Sequence, residues 1–403
     1  MPVNYRPVTF PGAQGHELAA RYPEPAGPLR GAALFAHCFT CSKDVKAARN
    51  IAEALAAHGI ATLRFDFTGL GESEGDFADT TFSSNTGDLL AAAAFMRDEL
   101  GTPPTLLIGH SLGGAAVLAA ADRIPDAKVV VTIGAPADPA HVQHNFAEAT
   151  DEITARGEAV VQLAGRPFRI KKDFLDDLAQ HGNPEKIRSL GRALLIFHAP
   201  TDDVVGIDNA RLLYEAARHP KSFVSLDGAD HLLSRDSDAA YVASVIAAWG
   251  ERYLPTQDAP EVPRGTVVAN GSRGFQTHLS TGPHEVVADE PRSYGGGDTG
   301  MTPYDLLSSS LGACTAMTLR MYADRKKWPL ENVNVSLQHA RVHAKDCHDC
   351  DKTDGHVDQF SMTLELEGDL DAEQRARLLE ISHRCPVHRT LTNEIKVRTE
   401  LVP

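Results

Sequence analysis

The sequence predicts two units of different architecture: an α/β unit over residues 1–254 and an α+β unit over residues 265–403. Three observations carry that expectation. Through the first 254 residues short apolar runs alternate with helical patterns, the rhythm of a mostly parallel sheet covered by helices on both faces. Residues 255–264 then bring Pro255, Pro260 and Pro263 among polar residues with no hydrophobic period, the composition of a semi-rigid linker. Beyond it, short strands surround one long helix.

Residues 8–22 read as a hairpin, with turn signals at Pro11-Gly12 and Gly15. Ala32 to Ala36 is a buried strand that ends at His37-Cys38-Phe39-Thr40-Cys41. A helix from about Lys46 to His58, a strand from Ile60 to Phe67 and the glycine-rich loop Gly69 to Gly75 follow. An alanine-rich helix from about Asn85 to Glu99 leads to the strand Leu106-Leu107-Ile108. Val129 to Ile133, Leu194 to Phe197 and Ser222 to Leu226 complete the strands. Between about 136 and 190 the alternation breaks into polar and helical pieces, where a lid over a site would be inserted.

Composition narrows the function. With 403 residues, 42% of them apolar, the chain can build two real cores. A net charge of −15 and no run of Lys or Arg argue against nucleic acid or an anionic membrane as partner. The first residues lack a basic segment followed by an apolar one, and no apolar stretch approaches membrane-spanning length. The expectation is a cytoplasmic protein whose six cysteines serve as thiols, metal ligands or catalytic groups rather than as a disulfide framework.

Gly109-His110-Ser111-Leu112-Gly113 matches G-x-S-x-G between the strand at 106–108 and the small-residue helix that opens at Gly114. Strand, sharp turn with serine at its apex and helix is the context of a nucleophile elbow. A serine hydroxyl needs an imidazole to take its proton, and the imidazole needs a carboxylate to fix its tautomer. Of 18 histidines, His231 in Gly228-Ala229-Asp230-His231 stands out because it follows the last strand. Asp202 and Asp203 lie in a turn after the strand at 194–197. Cys38 and Cys41 form a C-x-x-C beside the end of the strand at 32–36, readable as buried thiols, a redox pair or metal ligands.

Residues 1–254 thereby resemble an α/β hydrolase of the serine esterase type, with nucleophile, acid and base in the family's chain order. The resemblance implies Ser111 as nucleophile, His231 as base and Asp202 as acid, with Asp203 the alternative. It implies an oxyanion hole from the backbone N–H groups of Leu112 and Phe39, although Cys38 stands where the family usually has glycine. The implied substrate is a small-molecule ester, with thioester, amide and peptide hydrolysis left open, and no cofactor or metal is called for.

In the second part, strands are expected at 265–270, 274–280 and 285–288, then a helix from about Pro303 to Lys327. Leu307, Leu311, Cys314 and Met321 fall on one face of that helix, which predicts a buried Cys314. Strands at 333–337 and 360–367, a helix from about Ala372 to His383 and a closing strand from Ile395 to Leu401 complete an α+β pattern. Pro303-Tyr304-Asp305-Leu306-Leu307, Ala313-Cys314 and Cys385-Pro386 are similar to the OsmC/Ohr family of thiol-dependent hydroperoxide reductases. That resemblance implies a peroxidatic Cys314, a resolving Cys385, an organic hydroperoxide as substrate and a homodimer through the C-terminal unit. The family's glutamate ten residues before the first cysteine is Tyr304 here, and Arg273 or Arg292 would have to activate the thiol. The alternative is a dimerisation or ligand-binding module that kept the fold. Cys347-His348-Asp349-Cys350, with His343 and His356 nearby, reads as a metal site, a redox pair or an inert polar loop.

Overall fold

Eight strands form the central sheet of the N-terminal unit in the computed structural model. The structure describes residues 5–23, 29–39, 41–163, 166–182, 184–254, 262–263, 265–271, 274–343 and 355–402. Contacts divide the chain into the units Met1–Glu261 and Val262–Pro403. Of the linker at 255–264, only Val262, Pro263 and nothing else is among the described residues up to Arg264.

In chain order the strands are β1 (Tyr5–Pro11), β2 (Glu17–Pro23), β3 (Gly31–Ala36), β4 (Ile60–Phe65), β5 (Leu106–His110), β6 (Val129–Ile133), β7 (Glu158–Leu163), β8 (Arg166–Lys171), β9 (Ala193–His198) and β10 (Lys221–Ser225). The sheet order is β1-β2-β4-β3-β5-β6-β9-β10, parallel from β4 to β10, with the β1–β2 hairpin antiparallel at one edge. Every residue of β4, β5, β6 and β9 is buried, as a two-sided parallel sheet requires. Because side chains alternate along a strand, Leu107, Val130, Leu194 and Ile196 enter one core, and Leu106, Ile108, Val131 and Leu195 the other.

The helices are α1 (Lys46–Ala57), α2 (Phe82–Asp98), α3 (Leu112–Ala120), α4 (Thr150–Arg156), α5 (Lys172–Leu178), α6 (Pro184–Arg188), α7 (Asp208–Ala216) and α8 (Asp236–Gly250). α1 and α8 cover one face through Ile51, Leu55, Val242 and Ile246, and α2, α3 and α7 cover the other through Leu89, Met96, Val117 and Leu213. α2 starts three residues before the expected Asn85, because Thr81 and Ser84 close a capping box ahead of it. The inserted region holds a 3-10 segment (Pro139–Ala149), α4, α5, α6 and the unexpected β7–β8 hairpin.

The C-terminal unit begins with a meander of β11 (Val268–Gly271), β12 (Thr277–Thr281) and β13 (His284–Ala288). α9 (Pro303–Lys326) follows, opened by a Thr302–Asp305 capping box with Pro303 in its first turn. β14 (Asn332–His343) and β15 (His356–Glu367) pair antiparallel along their whole length, and α10 (Ala372–Ser382) and α11 (Pro386–Leu391) end the regular structure. Leu319, Ala323, Leu330, Leu370, Leu378 and Ile381 make the core.

Two expectations fail in this unit. The buried face of α9 is Leu311, Thr315, Leu319 and Ala323, while Met321 is 73% exposed and Cys314 half-buried. The apolar residues of this helix occupy more than one stripe, so spacing alone selected the wrong one. Residues 395–401 are in no ladder, and Val397 and Leu401 stand fully in solvent. Their alternation is that of a strand, but among the described residues no edge of this unit receives it.

Candidate active site

Ser111 sits between β5 and α3 with φ 55° and ψ −126°, a conformation that costs a residue with a Cβ energy and is held by its surroundings. Its N–H donates to the Ile133 carbonyl at 2.9 Å, which ties the turn to the end of β6. Only glycine fits at the flanks of the turn. A Cβ on Gly109 would lie 2.3 Å from the Gly113 carbonyl oxygen, and one on Gly113 would lie 2.4 Å from those of Ala36 and His37.

Asp202 follows β9, and His231 lies in the loop after β10. His231 Nδ1 is 2.7 Å from Asp202 Oδ2, with both side chains buried, while Asp203 is exposed. A carboxylate only accepts, so the proton is on Nδ1 and Nε2 presents its lone pair. Asp202 Oδ1 accepts the N–H groups of Val204 at 2.9 Å and Val205 at 2.8 Å. Burial is the largest influence on this carboxyl and pushes its pKa up, but the His231 bond and the two N–H groups together hold it below the usual range. Ser111 Oγ makes no hydrogen bond among the described residues. The turn and the His231 loop are tied together by the residue before the serine, since His110 Nε2 donates to the His231 carbonyl at 2.7 Å.

His110 is fully buried and its Nδ1 has no partner among the described residues. Burial first, and then the neighbouring His231, lower its pKa to about 4. It is a neutral structural donor. His198 does similar work, with Nε2 donating to the Val205 carbonyl at 2.6 Å and its pKa lowered by burial.

Gly134, which no sequence motif marks, completes the setting. It has φ +54°, and a Cβ there would lie 3.2 Å from His231 Nδ1 and 3.3 Å from Asp202 Oδ2. Its signal was a glycine directly after a β-branched strand, at the carboxyl end where such sheets bind ligands.

Opposite Ser111, Phe39 follows β3, and neither its N–H nor that of Leu112 donates to an acceptor among the described residues. His37 holds this loop through Nδ1 to the Cys38 carbonyl at 2.8 Å, and its Nε2 accepts the Phe67 N–H at 3.4 Å. Lys43, the next anchor, is buried with its ammonium 2.7 Å from both Asp66 Oδ2 and Glu72 Oε2. Contrary to the expectation of free thiols, Cys38 and Cys41 are joined in a disulfide, their Cα atoms 5.3 Å apart. Four residues close the ring, short enough for the turn after β3 to bring the sulfurs together. A narrow apolar cavity beside the loop is lined by Phe39, Phe67, Leu70, Phe77, Leu112 and Ala116. The inserted region roofs it, with Phe174 stacked on Phe39 at 5.6 Å and Phe168 edge-on to Phe77 at 5.3 Å.

In the C-terminal unit Cys385 is buried at the first turn of α11, where its sulfur accepts the His388 N–H at 3.2 Å. Thr315, the residue after Cys314, approaches the same sulfur at 3.5 Å. Cys314 Sγ has no hydrogen bond among the described residues. Arg292 is exposed, and Arg273, Cys347 and Cys350 lie outside the described residues. Tyr304, where the glutamate was looked for, stacks on His339 at 4.0 Å.

Residues 31–271 match the model of the alpha/beta hydrolase family, and residues 295–400 match that of the OsmC-like proteins. The chain belongs to the alpha/beta hydrolase family and carries an OsmC-like domain behind it. Among solved structures, the esterase domain of a Rhodothermus marinus protein is 53% identical, covering 62% of this chain and 100% of that chain, with a TM-score of 0.53. Mouse alpha/beta hydrolase domain-containing protein 10 is 21% identical over 61% of this chain and 99% of its own, TM-score 0.52, a likeness of fold alone. The mitochondrial palmitoyl-protein thioesterase ABHD10 of Mus musculus is 32% identical over 130 residues, 30% of this chain and 42% of that protein. The chain spans less than half the length of the curated relatives it matches.

Proposed function

We propose that the N-terminal unit hydrolyses small-molecule carboxylic esters or thioesters through Ser111, His231 and Asp202. The observation that carries this reading is the 2.7 Å His231–Asp202 bond, with the His231 loop tied through His110 to the turn that holds Ser111 at positive φ. His231 Nε2 takes the Ser111 proton as Oγ attacks the acyl carbonyl, and Asp202 steadies the imidazolium that forms. The Phe39 and Leu112 N–H groups receive the oxyanion. His231 then returns the proton to the leaving alcohol or thiol, and water repeats the sequence on the acyl-serine. The esterase and thioesterase names of the relatives agree with this chemistry. The test is turnover of ester, thioester and amide panels by wild type and Ser111→Ala. Loss of several powers of ten supports the assignment, and a variant keeping a tenth of the rate overturns it.

For the OsmC-like domain the proposal is thiol-dependent reduction of organic hydroperoxides, Cys314 attacking the O–O bond and Cys385 resolving the sulfenic acid. The approach of Cys385 to the residue beside Cys314 supports it. A non-catalytic assembly or binding module is the second reading, favoured by the lack, among the described residues, of any arginine bonded to Cys314. Either way we place a homodimer on residues 265–403. Val335, Leu337, Phe360 and Met362 form the apolar side of β14–β15 yet stay only half-buried in one chain. Among the described residues no helix is long and apolar enough to cross a membrane, and a cytoplasmic location remains our proposal.

A further inference from the structure

The Cys38–Cys41 disulfide encloses Phe39, and no step of the proposed hydrolysis uses it. Cys38 is 5% exposed and lines the same cavity as Phe39, Leu112 and Gly113, while Cys41 is half-buried. The bond spans the same turn that the Cys41 N–H closes on the Cys38 carbonyl at 3.1 Å. One end of that turn is pinned, because His37 bonds the Cys38 carbonyl and α3 presses Gly113 against the carbonyls of Ala36 and His37. The other end is pinned at Lys43, where the backbone N–H and the ammonium both bond Asp66. Between the pins, the disulfide is the covalent restraint on Phe39.

We propose that Cys38–Cys41 is a reversible thiol switch that sets the oxyanion donor of Phe39, making hydrolysis respond to the dithiol and hydroperoxide around the protein. This rests on the Ser111 reading above. In reduction, a thiolate of an external dithiol attacks the sulfur of Cys41, the less buried of the pair, the S–S bond breaks, and Cys38 leaves as a thiolate that takes a proton. The second thiol of the reductant then expels Cys41 and becomes oxidised to its own disulfide, leaving two protein thiols. In the reverse direction an organic hydroperoxide accepts attack from one thiolate, giving an alcohol and a sulfenic acid. The other thiol displaces water and restores the disulfide. Two electrons move in each direction. In the cytoplasmic location proposed above, a disulfide is characteristically catalytic or sensing rather than structural.

Oxyanion donors act in the transition state, so releasing one lowers kcat with little change in KM. Outright loss of such a donor costs about 10²–10³ in kcat, and a loosened one on the order of tenfold. The experiment uses the full chain and a chromogenic short-chain ester. Alkylation with mass mapping before reduction should leave Cys38 and Cys41 unlabelled. Dithiothreitol should then lower kcat on the order of tenfold, and removing it and adding cumene hydroperoxide should restore the rate. The double variant Cys38→Ser/Cys41→Ser should sit at the reduced rate and ignore both reagents. The switch is overturned if both cysteines label without reduction, if kcat is the same in both states of the wild type, or if the double variant still responds. Those outcomes leave the hydrolase standing, whereas an active Ser111→Ala would sink the hydrolase reading itself.

Discussion

Acidification should destabilise the hydrolase unit well above the range where carboxylates titrate, because His110, His37 and His198 are buried and neutral. Take His110, whose pKa falls from 6.5 to about 4 on folding. With its Nε2 proton committed to the His231 carbonyl and its Nδ1 without a partner, a second proton would be a buried donor with nothing to bond. The unfolded chain takes that proton as pH drops below 6.5 and the folded one does not, so stability is lost from 6.5 down to about 4. Between pH 7 and 5 the loss from this one residue is about 2 kcal/mol, a large share of the stability of an ordinary domain. His37 and His198 shift the same way through burial and add to it. Asp88 opposes them, since burial raises its pKa and the folded state takes its proton more readily. The depressed Asp202 adds its own loss only below the ordinary aspartate value. The assay is urea unfolding in the Trp328→Phe background, where Trp249 alone reports on the hydrolase unit. His110→Gln can keep the donor to the His231 carbonyl without titrating. Its stability between pH 7 and 5 should fall by about 2 kcal/mol less than the parent's. Equal pH slopes in the two proteins would refute the buried-neutral reading of His110.

Three further outcomes are expected. Gly134→Ala must carry a Cβ at positive φ against His231 and Asp202; it should lose about 1–2 kcal/mol of stability and about tenfold or more in kcat, and unchanged kinetics would show the pair to be insensitive to its neighbour. Stoichiometric organic hydroperoxide should link Cys314 to Cys385 on a non-reducing peptide map, and a Cys314 that stays reduced would leave the OsmC-like domain as an assembly or binding module. Truncation after Asn393 should weaken self-association in light scattering if the exposed alternating segment 395–401 adds a strand to a second copy, and an unchanged mass would place the dimer contact elsewhere.

What could be read in the chain followed how local the information was. The elbow is local: a strand, a G-x-S-x-G turn and a helix are contiguous, and each glycine answers to a neighbour within a few ångströms. Asp202 and His231 were legible because each follows a strand whose apolar run is unmistakable, and the parallel sheet brings strand ends together. Gly134, His37 and the Lys43–Asp66–Glu72 cluster were not, because their roles arise from contacts that only the closed sheet creates. The second unit was harder for a physical reason. A small core fed by one long helix leaves several apolar stripes on that helix, and the buried one, Leu311-Thr315-Leu319-Ala323, contains a threonine. The stripe through Cys314 and Met321, and the segment 395–401, have the pattern of buried elements without a burying surface among the described residues of their own unit. Both failures are accounted for by the homodimer proposed above, which would supply the missing layer. Apolar alternation that outruns the core of one unit is the pattern expected of a surface covered on assembly, and spacing within one chain assigns such a surface to the interior.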